Sequence, residues 1–208
     1  MTTTVYQELA DYRRAVAGMY ARAREQPGAA EVGWQQFRAE RDELFRGHSQ
    51  SALSAEQKSS FAGLPYFDYN PALSLRLNLD TDVEPATWEI ELPEDGLARY
   101  TRVGRVHFEV EGQAVSLSVF WLLGYGGGLF LPFRDRTNRD ASYGGGRYLL
   151  DTIKHADLGQ ESDGRLVIDF NYAYNPSCAY HPRWHCPLPP PENWLTVPIR
   201  AGEMRYHE

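Results

Sequence analysis

Val106-His107-Phe108-Glu109-Val110-Glu111-Gly112-Gln113-Ala114-Val115-Ser116-Leu117-Ser118-Val119-Phe120-Trp121 reads as two β-strands joined by a tight turn. Val106, Phe108 and Val110 recur at every second position, and so do Val115, Leu117, Val119 and Trp121. That period places each set on one face of a pleated strand, with Glu111-Gly112 as the turn between them.

The same period extends outward in both directions. Upstream, after Asn70-Pro71, it marks Leu73, Leu75, Leu77 and Leu79, then Trp88, Ile90 and Leu92. Downstream, strands are expected over Leu129 to Phe133, Arg147 to Ile153, Leu166 to Phe170 and Trp194 to Arg200. They arrive at short intervals with Gly, Asp and Pro between them, and no helical pattern intervenes. This argues for an antiparallel sandwich or barrel and against a parallel doubly wound sheet.

The first third is helical. Thr4 and Gln7 form a capping-box pattern, and Val5, Leu9, Tyr12, Val16 and Met19 follow with the spacing of an amphipathic stripe. Gln26-Pro27-Gly28 stops that helix. A second helix is expected over about Trp34 to Arg46, with Trp34, Phe37, Arg41, Leu44 and Phe45 on one side and Gly47 at its end. Arg41 lies within the apolar stripe, so it either snorkels or is paired. Ser54 and Gln57 repeat the capping box for a short helix ending before Gly63-Leu64-Pro65. The expected fold is α+β: N-terminal helices packed on a mostly antiparallel β-sandwich or barrel. A single domain over residues 1–208 is expected, helical over 1–65, with a β-part over 70–208 closed by a Pro-rich loop.

Composition narrows the function classes. The 208 residues carry 21 basic and 28 acidic side chains, a net charge of −7, with no basic run. Nucleic-acid binding needs clustered Lys and Arg to displace counterions, and an acidic membrane surface repels such a chain. No apolar run reaches the roughly 20 residues of a bilayer span. The amphipathic N-terminus is not a secretory signal, and two cysteines without one point to a reducing compartment. The expectation is a soluble cytoplasmic protein with no nucleic-acid or membrane partner. Its oligomeric state, a homo-oligomer included, is left open.

Two glycine runs stand out, Tyr125-Gly126-Gly127-Gly128 and Tyr143-Gly144-Gly145-Gly146-Arg147. The first sits between apolar strands and reads as a hairpin turn. The second follows the polar segment Arg134 to Ser142 and ends in an arginine. Neither carries the Gly-Lys-Ser/Thr of a nucleotide loop.

The tail is the densest region chemically. Both cysteines, two of six histidines and six of thirteen prolines lie between Asp169 and Asn193. Four motifs carry a family resemblance: Y-G-G-G-R-Y (Tyr143 to Tyr148), D-F-N-x-A-Y-N-P-x-C-A-Y (Asp169 to Tyr180), C-P-L-P-P-x-E-N (Cys186 to Asn193) and I-R-A-G-E (Ile199 to Glu203). With these the chain resembles the domain of unknown function 1684 family of bacterial and archaeal proteins, over nearly its whole length. The resemblance implies that Arg147, Asn171, Tyr174, Asn175, Cys178, Cys186, Glu192 and Asn193 belong to a shared pattern, with His181 and His185 outside it. It implies no activity.

Four readings of the tail follow from residue chemistry. Cys178, His181, His185 and Cys186 suit tetrahedral zinc, most simply as a three-ligand set of Cys178, His181 and Cys186. Cys178 with His181 or His185 and Asp169 or Asn171 has the parts of an activated thiol nucleophile. A polar pocket would use Arg147 as a fork for a carboxylate or phosphate, with Asn171, Tyr172, Tyr174 and Asn175 orienting the ligand. Arg134, Asp135 and Arg139 would cover that pocket, and Asp169 or Glu192 would act as base. Lastly, the Asn and Pro residues can be turn chemistry alone, with Arg147 a buried partner of Glu192 or Asp169 and the tail a structural clasp or interaction module. The pocket, holding a small anionic metabolite and open to catalysis, is the functional expectation. The clasp and the zinc site are its alternatives.

Overall fold

A computed structural model describes residues 3–25, 30–92 and 96–206. Helices α1 (Thr3–Arg24) and α2 (Ala30–Gly47) form an antiparallel pair. Tyr20 meets Phe37 edge-on at 5.0 Å, Arg22 pairs with Glu40 at 2.7 Å, and Gln50 beyond α2 reaches back to Glu8 at 2.8 Å. The buried stripe of α1 is Val16, Met19 and Tyr20, closed by Trp34, Phe37 and Leu44 of α2. Thr4 lies inside α1 and not before its first residue, while the expected stop at Gln26-Pro27-Gly28 lies outside the described residues. The second capping box holds. Ser54 and Gln57 bond each other's backbone reciprocally at the start of α3 (Ala55–Ser59).

The strands are β1 (Ser74–Leu77), β2 (Thr87–Leu92), β3 (Gly96–Val110), β4 (Gln113–Leu123), β5 (Gly128–Phe133), β6 (Arg147–Asp151) and β7 (Leu166–Asp169). They form an antiparallel five-stranded sheet, β2-β3-β4-β5-β6, and an antiparallel pair, β1-β7. The sheets do not close on each other, so the α+β fold is sandwich-like and not a barrel. Glu111 and Gly112 have φ of 52° and 75°, which matches the two-residue hairpin turn whose twist suits antiparallel strands. The first glycine run turns β4 into β5.

Alternation along the strands sorts two cores. Val106, Val110, Leu117, Val119, Leu131 and Phe133 face the small sheet and meet Leu166 and Ile168. The opposite face of the large sheet carries Tyr100, Phe120, Phe130 and Tyr148. The helix pair packs on the segments that follow β6 and β7, against Ala156 and Tyr172.

The expected strand over Trp194 to Arg200 is absent, although its alternation is real. Val197, Ile199 and Ala201 are wholly buried. This segment runs beside residues 134–136, with Arg134 N–H donating to Asn193 O at 2.9 Å and Arg136 N–H to Val197 O at 3.1 Å. Pro198 has no N–H to extend a ladder, and Ile199 N–H turns instead to the Asp135 carboxylate at 3.0 Å. The strand expected to reach Ile153 stops at Asp151, where a short 3-10 turn begins.

Candidate functional site

A polar cleft opens on the outer face of the β1-β7 pair. In β1, Leu75 and Leu77 turn toward the core, so Ser74 and Arg76 point the other way. Register brings Ser74 opposite Asp169 and Arg76 opposite Val167. The end of α1 (Ala23, Arg24), the loop Leu158 to Glu161 and Tyr172 wall this face, and the cleft encloses about 330 Å³.

Its polar side chains are linked. Arg76 pairs through Nε with Glu161 at 2.6 Å and reaches Ser74 Oγ at 3.4 Å. Ser74 in turn stands opposite Asp169 in the β1-β7 register. The Oδ1 of Asp169 accepts from the backbone N–H of Asn171 at 2.9 Å and from its side-chain amide at 2.8 Å. Burial raises the pKa of Asp169, and Ser74 and Asn171 oppose that rise only in part. Tyr172 is likewise raised, by burial first and by the Asp169 charge second, so its hydroxyl remains a neutral donor. Arg24 donates to Asp157 O at 2.8 Å and keeps part of its guanidinium in solvent. The cleft thus offers two cations, two hydroxyls and a carboxylate poised to take up a proton.

The tail residues expected in a pocket are turned inward. Arg147 is fully buried, 2.8 Å from the Asp135 carboxylate, and donates to the carbonyl oxygens of Ile199, Ala201 and Glu203. No guanidinium surface is left to meet a ligand, and its ion partner is Asp135, not Glu192 or Asp169. Asn171 exchanges bonds with both backbone groups of Asn70, at 2.8 and 2.9 Å, and its carbonyl accepts from Trp34 Nε1 at 2.9 Å. Asn175 gives its N–H to Glu203 and its side-chain amide to Met204 O, each at 2.8 Å. Tyr174 hydrogen-bonds Tyr148 backbone to backbone, meets its ring edge-on at 5.7 Å, and lays its own ring 5.3 Å from Arg41.

Residues 59–204 match the family model described as protein of unknown function, DUF1684. The chain belongs to the DUF1684 family. A solution NMR structure of an uncharacterized protein from Haloarcula marismortui is similar to it, at 34% identity with a TM-score of 0.59. That similarity covers 86% of this chain and 96% of the archaeal one. No curated protein matches the chain.

In this DUF1684 protein the remaining candidates separate. Arg134 stacks its guanidinium over Trp194 at 4.6 Å, and Glu192 pairs with Arg102 at 2.9 Å, and neither lines the cleft. Asp135 is the buried N-cap of the turn Arg136–Arg139, so this segment braces Arg147 and covers no pocket. Among the described residues, no three His, Cys, Asp or Glu side chains converge to hold a metal ion. Cys178, His181 and Cys186 therefore do not form the expected ligand set. His181 uses Nδ1 to accept from the Arg183 N–H at 3.1 Å. The two cysteines are free thiols, each partly buried, and the Tyr143 hydroxyl donates to Cys178 Sγ at 3.6 Å.

Of the cleft, sequence reasoning named Asp169 and Tyr172. It missed Ser74, Arg76 and Arg24. The alternation in β1 marks Ser74 and Arg76 as outward-facing, but only the pairing of β1 with β7 puts them beside Asp169.

Two buried polar side chains, Asn193 and Glu203, tie the tail to the rest of the fold. Asn193 uses its side-chain amide as a strand would, accepting from Ser118 N–H at 2.8 Å and donating to Ser118 O at 2.9 Å and Pro132 O at 2.7 Å. The β4–β5 pairing stops at Phe120 and Phe130, and beyond it Pro132 has no N–H, so Asn193 bridges Ser118 and Pro132 instead. Glu203, wholly buried, collects Arg41 at 2.6 Å, Tyr66 at 3.1 Å, the Tyr180 hydroxyl and the Asn175 N–H.

Proposed function

We propose that this protein binds a small, polar, anionic metabolite in the cleft between α1 and the β1-β7 pair. Arg76 and Arg24 are the anion contacts. Ser74 and Tyr172 meet hydroxyl or carbonyl groups of the ligand, and Asp169 is the group placed to exchange a proton with it. The observation that carries this reading is the convergence of those side chains on one concave face of about 330 Å³. Small-molecule sites span about 300–1,000 Å³ and use a few convergent polar groups in this way. A carboxylate with a raised pKa in such a setting is a functional candidate on physical grounds. The anion contact moves from Arg147, which is buried, to Arg76, whose side chain keeps 36% of its surface exposed.

The test is a thermal-shift titration with inorganic phosphate, succinate and citrate as probes, alongside native mass spectrometry of the protein as purified. A saturable rise in Tm with one probe, lost in Arg76→Ala and kept in Arg99→Ala, is the expected result. Arg99 lies in an exposed ion pair on β3 and serves as the charge control. No saturable shift with any probe and no small-molecule adduct would sink the reading.

A further inference from the structure

The function proposed above requires the cleft to hold an anion, yet Asp169, a carboxylate, lines the same wall as Arg76. The way Asp169 is held shows how the two coexist. Both hydrogen bonds that reach it from Asn171, the backbone N–H at 2.9 Å and the side-chain amide at 2.8 Å, fall on Oδ1. Oδ1 is thus fully engaged, and Oδ2 is the oxygen that Asp169 can present to the cleft. A carboxylic acid keeps a carbonyl oxygen, so both bonds survive protonation as long as the proton sits on Oδ2. The contacts from Asn171 therefore fix where a proton goes and are satisfied with or without it.

The surroundings set whether the proton is there. Asp169 is only 6% exposed. Arg76, the cation beside it on β1, gives Nε to Glu161 at 2.6 Å and Nη1 to Leu75 O at 3.1 Å and Ser74 Oγ at 3.4 Å. Its Nη2 has no partner among the described residues, so one corner of the guanidinium remains for a ligand. Tyr172, three residues on, and Tyr69, before β1, face Asp169 with hydroxyls that burial keeps neutral. Arg24 of α1, Glu31 of α2 and Glu161 of the loop complete the charges on this side. Burial outweighs the bonds and the Arg76 charge and raises the Asp169 pKa. An anion seated at Nη2 of Arg76 adds a like charge and raises it further.

We propose that the cleft takes up an oxyanion and a proton together, with Asp169, protonated on Oδ2, donating a hydrogen bond to a carboxylate or phosphate oxygen held by Arg76. This rests on the cleft reading above and names the ligand group that the cleft selects. The proton comes from solvent, and no bond of the ligand is made or broken. Ionised, Asp169 repels an oxyanion; protonated, it recognises one. Asp169 is thereby a specificity-determining residue, and affinity is coupled to pH.

The experiment is isothermal titration calorimetry of the full chain with succinate and with inorganic phosphate from pH 5 to pH 8, repeated at pH 7 in two buffers of different ionisation enthalpy. The wild type is expected to take up a proton on binding. Its affinity should fall by up to about tenfold per pH unit between the free and the ligand-bound pKa of Asp169. Asp169→Asn offers an amide N–H where the acid has its O–H, so it should take up no proton and bind more tightly than the wild type at pH 8. Comparing the two proteins cancels the probes' own titration, and the tighter probe tells carboxylate from phosphate. Circular dichroism and Tm check the fold of the variant. If Asp169→Asn does not fold, proton uptake by the wild type with succinate at pH 7, where succinate is essentially fully ionised, gives the answer alone. Binding that Arg76→Ala abolishes, but without proton uptake or with parallel pH profiles in wild type and Asp169→Asn, overturns this proposal and leaves the cleft reading standing. No saturable binding of either probe overturns both.

Discussion

The guanidinium of Arg147 lies 2.8 Å from the carboxylate of Asp135, and neither side chain has any exposed surface. Two charges removed from water are tolerated here because the arginine also donates to three carbonyl oxygens of the C-terminal segment. Removing one partner strands the other. Arg147→Ala is therefore expected to cost about 3–5 kcal/mol. Urea denaturation measures it, and a loss below 1 kcal/mol would contradict the structural role.

Glu203 joins α2, the tail and the strip before β1 through one carboxylate. Glu203→Ala leaves Arg41 unpaired in the interior and should destabilise by about 3–5 kcal/mol. Glu203→Gln keeps an acceptor for Arg41 and Tyr66 and should lose clearly less. The two midpoints, compared directly, test whether the charge or the bare contact matters.

Asn193→Asp is expected to be worse than Asn193→Ala. The aspartate can still accept from Ser118 N–H, but it sets a negative charge against the carbonyls of Ser118 and Pro132, which the amide now satisfies. Alanine leaves these groups unpaired at about 1–3 kcal/mol each at most. Thermal melts of the two variants give the order.

The pH dependence of stability carries a signature of Asp169. Burial raises its pKa in the folded chain above the unfolded value of about 4. The folded state thus holds the proton over the interval between the two values, and stability falls as pH rises through that interval. The penalty is complete above the folded value and absent below about 4. Asp169→Asn, which keeps an acceptor for Asn171, should lose this component. Urea midpoints from pH 4 to pH 8 for both proteins would show it, and superimposable profiles would refute it.

A fragment ending at Asn70 is expected to lack a stable helical fold. The stripe of α1 and α2 closes on Ala156 and Tyr172, and Phe45, Leu53, Phe61 and Leu64 close on Ala179 and Tyr180. Far-UV circular dichroism of the fragment checks this, and a cooperative melt would count against it.

The strands were legible because a half-buried strand writes period two directly into sequence, as Val106 to Trp121 does. The same signal misled at Trp194 to Arg200. There the alternation reports burial truly, but Pro198 and the Asp135 carboxylate redirect the hydrogen bonds, and periodicity says nothing about bonding partners. Asp169 and the cysteines were legible as chemistry. Their neighbours were not, because Ser74 and Arg76 stand more than ninety residues away and only β1-β7 register joins them. Arg147 was read as a ligand contact for a related reason: a lone arginine after glycines looks the same in sequence whether it faces solvent or an interior carboxylate.

The ion pair of Arg41 with Glu203 spans 162 positions of chain. During synthesis α2 leaves the ribosome early, and its arginine cannot meet the glutamate until nearly all of the described chain has followed. The N-terminal segment therefore spends most of that interval without Ala156, Tyr172, Ala179 and Tyr180, the residues that close its apolar stripes. Contacts this distant also slow folding, since the entropy of closing the loop is lost before the bond forms. Residues that emerge late lock residues that emerge 162 positions earlier, so nascent chains stalled short of Ile199 should remain protease-sensitive across α1 and α2.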